Sequence, residues 1–358
     1  MEKRATIKDI AQQAGVSLGA VHCALNGKPG VGEDTRKRIL EIAKQCNYKP
    51  NLAAASLKRK SVRIAVVFPD VVGYNRFYVR YLWAGFQDYL SIMKDFNIEV
   101  LEIPFYGTSN RLTEELECLY DSNRIHGMIC ATGYMDEQGK TAIRKFMERE
   151  IPIALVGEDL MDSGKLCCVQ PNYEVIGRTV AELLSREIPR GGSILVCAGD
   201  ASVPSHYKVV LGMEAYMKEK KFGNKIYKIH SPQSEEESIM QIERYLEEKD
   251  DIKACFAVTA RSSVQLGKAL LKTNKAGFIN SVGSDMFIEN KDFLKEGVFT
   301  NLINKNPFLQ SYTATKYLME YLMKGKRPQS DTIYVGSEIV FQSSLPMYEV
   351  DGQNRLFL

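Results

Sequence analysis

Apolar residues recur along the chain at two different spacings, and the change of spacing divides it. Ile7, Ile10, Ala11 and Ala14 fall on one helical stripe, with Thr6 as N-cap and Asp9 in the first turn, where a negative charge suits the helix dipole. Gly15 is suited to stop that helix in the left-handed conformation, Val16 plugs the turn, and Ser17 caps a second helix that turns Ala20, Val21, Ala24 and Leu25 inward. A third helix is predicted from Glu33 to Cys46 on the stripe Ile39, Leu40, Ile42 and Ala43. Two short helices joined by a glycine-containing turn make a helix-turn-helix, whose second helix can enter the major groove of DNA.

From Val62 short apolar runs alternate with amphipathic stretches. RIAVVFPD (63–70), IEVLEIPF (98–105), GMICATG (127–133) and IPIALVG (151–157) are separated by helical patterns near 76–94, 109–123 and 139–149. The alternation resumes with a helix over 172–187, SILVCAG (193–199), a helix over 205–221 and KIYKIH (225–230). A helix over 234–248, ACFAVT (254–259), a helix over 262–273 and FINSVGSD (278–285) follow. Near-continuous apolar strands, each followed by a helix, predict parallel sheets covered on both faces. Two doubly wound lobes accommodate that many strands better than one, and such folds bind ligands at the carboxyl ends of their strands.

Charge sharpens the division. Residues 1–60 hold twelve Lys/Arg against five Asp/Glu, a net of +7, so the rest of a chain of net +3 carries −4. A basic head on a mildly acidic body suits contact between one end and a polyanion, although a merely solvated basic face gives the same sum. No run of about 18 apolar residues exists to cross a membrane, and MEKRATIKDI lacks the apolar core of a signal peptide, so a cytoplasmic location is expected. The eight cysteines are scattered without metal-ligand spacing, as small buried hydrophobes of a reducing compartment would be; the vicinal pair Cys167–Cys168 leaves oxidant sensing open.

The runs TIKDIAQQAGVS (6–17), ALNGK (24–28), TRKRILEIAKQCNYKPN (35–51) and SLKRK (56–60) closely resemble the head of the lactose-repressor (LacI/GalR) family, without a gap over residues 5–60. The body resembles that family's effector domain more loosely, a two-lobed periplasmic sugar-binding-protein fold. The resemblance implies an all-α helix-turn-helix head (1–50), a hinge (51–61) and an α/β effector and dimerisation domain (62–358), each lobe a doubly wound parallel sheet. Lobe 1 is expected over about 62–168 and 300–324, and lobe 2 over about 169–297 and 331–358. Chain crossings then fall near 168–172, 296–300 and 325–331.

The same resemblance assigns roles. Residues 18–25 become the recognition helix, and Thr6, Ser17 and Asn26 bind phosphates, which fixes register without reading sequence. Residues 51–58 become a hinge that folds on the operator, with Asn51 as its cap, Ala54 and Lys58 on the DNA, and Leu57 wedged into the minor groove. A flexible basic linker is the plainer reading of that segment. Family hydrogen-bonding positions here hold Leu18, Gly19, His22 and Cys23: Leu18 suits a thymine methyl and His22 a guanine N7 or phosphate, so an atypical operator is expected. Two chains related by a two-fold axis, a homodimer, would bind a near-palindromic double-stranded site.

In the cleft, Phe77 and Tyr78 follow the first strand where the family stacks an aromatic ring on a sugar; an ordinary core pair is the alternative. Asp285 ends SVGSD and matches an aspartate that accepts sugar hydroxyls, Asn304 holds a polar ligand-touching slot, and Asn172 caps a helix or touches ligand. Val209, Pro171 and Arg261-Ser262 replace residues usual in a neutral-hexose site. Arg261, with Lys208 or His206 nearby, favours an anionic group on a carbohydrate-like effector; a solvated Arg261 is equally consistent. No cofactor is expected: there is no GxGxxG after a strand, no Walker loop, no G-x-S-x-G and no HExxH, and GDASVPS (199–205) cannot cradle a pyrophosphate. A transport solute-binding protein would need an export signal and no head, while a regulator that takes its signal from a protein partner remains open.

Overall fold

The computed structural model describes residues 6–25, 28–46, 61–106, 110–161, 163–189, 191–230 and 234–348. The chain divides into two compact units, residues 1–60 with 95–97 and residues 61–94 with 98–358.

The first unit is three helices, α1 (Ile7–Ala14), α2 (Leu18–Leu25) and α3 (Glu33–Gln45). Thr6 caps α1 through a reciprocal capping box with Asp9, and Gly15 ends it at φ +62°, a conformation that favours glycine. Ile10, Ala14, Val21, Ala24, Ile39 and Ala43 close a small shared core. The three predicted helices form as read, and so do their stripes except at Leu40, which is 44% exposed and lies outside the shared core.

The second unit holds two six-stranded sheets. The first comprises β1 (Val62–Val67), β2 (Ile98–Glu102), β3 (Gly127–Cys130), β4 (Ile153–Val156), β5 (Cys167–Pro171) and β11 (Thr332–Val335). Its order is β11-β5-β4-β3-β1-β2, parallel throughout. The second comprises β6 (Ser193–Gly199), β7 (Ile226–His230), β8 (Ile252–Ala257), β9 (Asn280–Ser284), β10 (Asn301–Asn304) and β12 (Glu338–Phe341), ordered β12-β10-β9-β8-β6-β7. Here β12 runs antiparallel to β10, a departure from the all-parallel expectation at one edge.

Both faces of each sheet are covered, which is why the strands read as unbroken apolar runs. Along β1, Ile64 and Val66 join one apolar layer while Ala65 and Val67 join the opposite one. Around the first sheet pack α4 (Val79–Ile92), α5 (Asn110–Ser122), α6 (Glu137–Glu148) and α12 (Pro307–Lys324). Around the second pack α7 (Tyr173–Glu187), α8 (Pro204–Glu219), α9 (Glu235–Glu248), α10 (Ala260–Lys272) and α11 (Ile288–Lys295). α7 and α8 approach through paired glycines: a Cβ on Gly177 would sit 1.9 Å from the Val209 carbonyl oxygen, and one on Gly212 2.1 Å from that of Glu174.

The sheets correct the expected lobe boundaries. Residues 300–324 do not return to lobe 1 as a block: β10 belongs to the second sheet, and only α12 lies on the first. Residues 331–342 are likewise split, β11 completing the first sheet and β12 the second. The chain thus crosses after Pro171, between Asn304 and Pro307, and between Val335 and Glu338. Short apolar runs carry no label for the sheet they join, so pairing partners decided what periodicity could not. Cys167 and Cys168 alternate onto the two faces of β5, fully buried, and burial raises both thiols, Cys167 to about 12 and Cys168 well above its ordinary value. A redox sensor needs an exposed, thiolate-prone cysteine, so the oxidant-sensing reading falls.

Candidate nucleic-acid surface and ligand cavity

In the head, the packing that buries Val21 and Ala24 turns Leu18, Gly19 and His22 outward on the same helix, with Leu18 49% exposed. Cys23 is half-buried. The Ser17 hydroxyl oxygen accepts from the Ala20 amide at 3.2 Å, which leaves its proton to give. Thr6 is more committed: its hydroxyl donates to Asp9 Oδ2 at 2.7 Å and accepts from the Asp9 amide. A phosphate role for Thr6 would have to compete with that cap. Sequence reading missed Arg36. From α3 it donates to the Cys23 and Ala24 carbonyls, both at 3.3 Å, and to the Lys28 carbonyl at 2.5 Å, tying down the end of α2. Asn26 and the hinge residues Asn51, Ala54, Leu57 and Lys58 lie outside the described residues.

In the body, each sheet reverses its strand order beside its first strand, between β1 and β3 and between β6 and β8. Strand-end loops diverge at such points and leave a crevice. A cavity of about 550 Å³ occupies that place, lined from both lobes. Its wall is built almost wholly from residues just past strand ends. Tyr134 follows β3, Glu158 follows β4, Asp200 follows β6, Arg261 follows β8, Asp285 follows β9 and Lys305 follows β10.

The deepest charged group is Asp285, 1% exposed and held at φ +73° while the Asn290 amide donates to the carbonyls of Ser284 and Asp285. It does not wait with free oxygens. Oδ1 accepts the Lys305 amide at 3.3 Å, and Oδ2 lies 3.0 Å from Lys305 Nζ, which also donates to the Val258 carbonyl at 2.9 Å. Burial raises the Asp285 carboxyl and the lysine opposes that rise. A ligand hydroxyl must therefore share this carboxylate with an internal cation. Gln310, on α12, donates both to the Lys305 carbonyl at 2.7 Å and to the Tyr78 hydroxyl at 2.9 Å, joining the end of β10 to the tyrosine wall.

Glu158, from the first lobe, accepts the Ser205 amide in the first turn of α8 at 2.9 Å. That helix has no capping side chain of its own, so a carboxylate from across the cleft satisfies one of its orphan donors. Burial raises the Glu158 carboxyl, and the Ser205 bonds oppose the rise. His206 Nδ1 sits 3.2 Å from the Asp200 amide; burial, and then the Lys305 cation, lower its pKa to about 4, so the ring is neutral at neutral pH. Arg261 lies over Tyr74, its guanidinium carbon 4.5 Å from the ring centroid, with Nε buried and without a hydrogen-bond partner among the described residues. The Tyr74 hydroxyl donates to Glu235, and burial together with that carboxylate pushes it up to about 12.

The expected cleft residues divide. Tyr78, Arg261, Asp285 and His206 line the cavity. Phe77 does not: it is 1% exposed and stacks on Phe287 at 4.5 Å, in an apolar cluster with Ala260 and Val264. Its ring finds its stacking partner there, away from the cavity. Asn172 caps α7 by accepting the Val175 amide at 3.1 Å, and Asn304 accepts the Asn306 amide at 3.0 Å within the crossing; neither lines the cavity. Lys208 is exposed on α8 outside the lining, acting on Glu158 only through its charge. Glu158, Tyr134 and Lys305 were missed, although the strand-end rule singles out the positions just past CATG, IALVG and LIN. Among the described residues no cluster of three or more His, Cys, Asp or Glu is placed to hold a metal ion, and no helix is long and apolar enough to cross a membrane.

Comparison with known proteins agrees with both halves. Residues 6–51 match the family model for bacterial regulatory proteins of the lacI family, and residues 129–327 match that for the periplasmic binding protein domain. The chain is 32% identical over 206 residues to the ribose operon repressor of Bacillus subtilis, covering 56% of each protein. It is 27% identical over 213 residues to catabolite control protein A of Staphylococcus xylosus, covering 58% of this chain and 60% of that one. The matched region thus spans somewhat more than half the length of these curated relatives. In fold, the glucose-galactose binding protein GanP of Geobacillus stearothermophilus superposes with a TM-score of 0.68 at 15% identity, over 80% of this chain and 100% of that one. These are relatives among regulators rather than enzymes: the chain belongs with the periplasmic-binding-protein domains over more than half its length and carries a lacI-family helix-turn-helix domain at its head.

Proposed function

We propose that the chain is a sequence-specific DNA-binding transcriptional repressor, working as a cytoplasmic homodimer on a near-palindromic operator. Its operator affinity is set by a small carbohydrate-like molecule held between the two lobes. The observation that carries the reading is the α1–α2 pair, which buries Val21 and Ala24 while presenting Leu18, Gly19 and His22 from a short helix suited to the major groove. Relatives named for repression of a ribose operon and for catabolite control support a sugar-linked role. The cavity supports a ligand-linked one: closing it on a molecule would draw both lobes together, and a ligand shifts the equilibrium by as much as it prefers one arrangement.

Selection of bound fragments from random duplex DNA tests this. The expected outcome is a two-fold-related consensus whose binding weakens steeply with salt, as phosphate contacts release counterions. Binding without any preferred sequence would refute the reading.

A further inference from the structure

Resting on the reading of the cavity as an effector site, we propose that its ligand is a polyhydroxylated molecule carrying an anionic group, carboxylate or phosphate, seated on Arg261. Arg261 is half-buried at the cavity wall, held over the Tyr74 ring at 4.5 Å. Its Nε, one half of the edge that grips a carboxylate with two parallel bonds, is buried and unpartnered among the described residues. A buried donor left without an acceptor is costly.

The neighbouring carboxylates are each engaged elsewhere. Glu235 is bound by Lys268 and Tyr74, Asp285 by Lys305, Asp200 by Ser202, and Glu158 by the Ser205 amide. Among the described residues Arg261 thus makes no direct ion pair, and it acts on Glu235 only through its charge at longer range. It also stands in the first turn of α10, where backbone amides lack intrahelical acceptors and the dipole favours an anion. The second lobe already holds one carboxylate in this manner, Glu158 against the first turn of α8, so an acid group at a helix start is a device this cavity uses. Facing it, Tyr78, Tyr134 and the shared oxygens of Asp285 supply hydroxyls and acceptors for a polyol body. Burial raises the Glu158 carboxyl, which weakens its repulsion of an incoming anion.

The test is calorimetry and thermal melting of the full chain with D-glucuronate, D-galacturonate, D-gluconate and D-glucose 6-phosphate, each against its neutral parent sugar. At least one acid should bind ten-fold or more tightly than its parent, and the carboxylate and phosphate arms then tell which anion is preferred. Arg261→Gln should abolish that preference while its unliganded melting temperature stays near the parent's, and Arg261→Lys should restore part of the affinity by keeping charge without the two-bond edge. Equal or better binding of the neutral sugars, no binding by any of the acids, or a preference that survives Arg261→Gln would each overturn the proposal. Operator binding measured on the same protein separates the two readings. Loss of DNA specificity refutes the regulator and leaves the anion subsite standing, whereas an acid that binds without altering operator affinity removes only the coupling.

Discussion

On α2 of the head, the residues that hold the fold and those exposed at the surface sit on opposite faces of a single helix: Val21 and Ala24 are buried, Leu18, Gly19 and His22 exposed. In the body the partner-facing groups lie inside, at strand ends, where Asp285 and Lys305 are 1% and 7% exposed. Stability and binding are therefore separable in the head and entangled in the body. A surface side chain costs little to change, while a buried charge must keep its counter-charge or destabilise the fold.

That difference can be pressed hardest at Lys305. Lys305→Met leaves Asp285 buried without its cation and should destabilise the body by about 3–5 kcal/mol in denaturant titration, and adding Asp285→Asn should recover much of the loss. A loss below about 1 kcal/mol, within the range of ordinary surface changes, would mean the carboxylate is not dependent on the lysine.

His206 gives a second, smaller break. Its folded pKa of about 4 lies below the ordinary value of about 6.5, so between those values the unfolded chain binds a proton that the folded ring refuses. Stability should fall as pH drops through that window, by on the order of 3 kcal/mol, and His206→Asn should remove that share of the slope. The raised carboxyls of Asp285 and Glu158 act in the opposite sense, since their folded forms take up protons more readily. The variant-minus-parent difference isolates the histidine, and parallel curves would refute its assignment.

The smallest effect on stability belongs to the head. Leu18→Ala should alter unfolding by less than about 0.5 kcal/mol, yet weaken selected operators by roughly 1 kcal/mol relative to scrambled duplexes. An equal loss on both would make Leu18 a general contact rather than a reader of bases.

The same contrast explains how much the sequence disclosed. The head is local: Thr6, Gly15 and Ser17 punctuate it, and its stripes repeat within a dozen residues, so its helices and its exposed face could be read directly. The body's strands were legible one by one, because burial on both faces leaves an unmistakable apolar run. Their allocation was not, because β11 pairs with β5 more than a hundred residues away and β12 with β10 on the far side of a crossing. The cavity was half legible for a related reason. Asp285 and Arg261 were found by position, but that Lys305 would reach back to Asp285, and that Phe77 would turn to Phe287 while Tyr78 faced the cavity, depends on packing that no spacing encodes.

The three crossings have a consequence for synthesis. Neither lobe is a contiguous stretch of chain: the first sheet waits for β11 and the helix α12, and the second for β12, all encoded beyond Pro307. A nascent chain paused before Thr332 would carry two sheets each missing an edge strand, whereas the described core of the three helices is drawn from residues up to Ala43. Vectorial folding would then deliver the three-helix head before the two-lobed body, with two open sheet edges exposed to chaperones or to neighbouring chains until β11 and β12 are made.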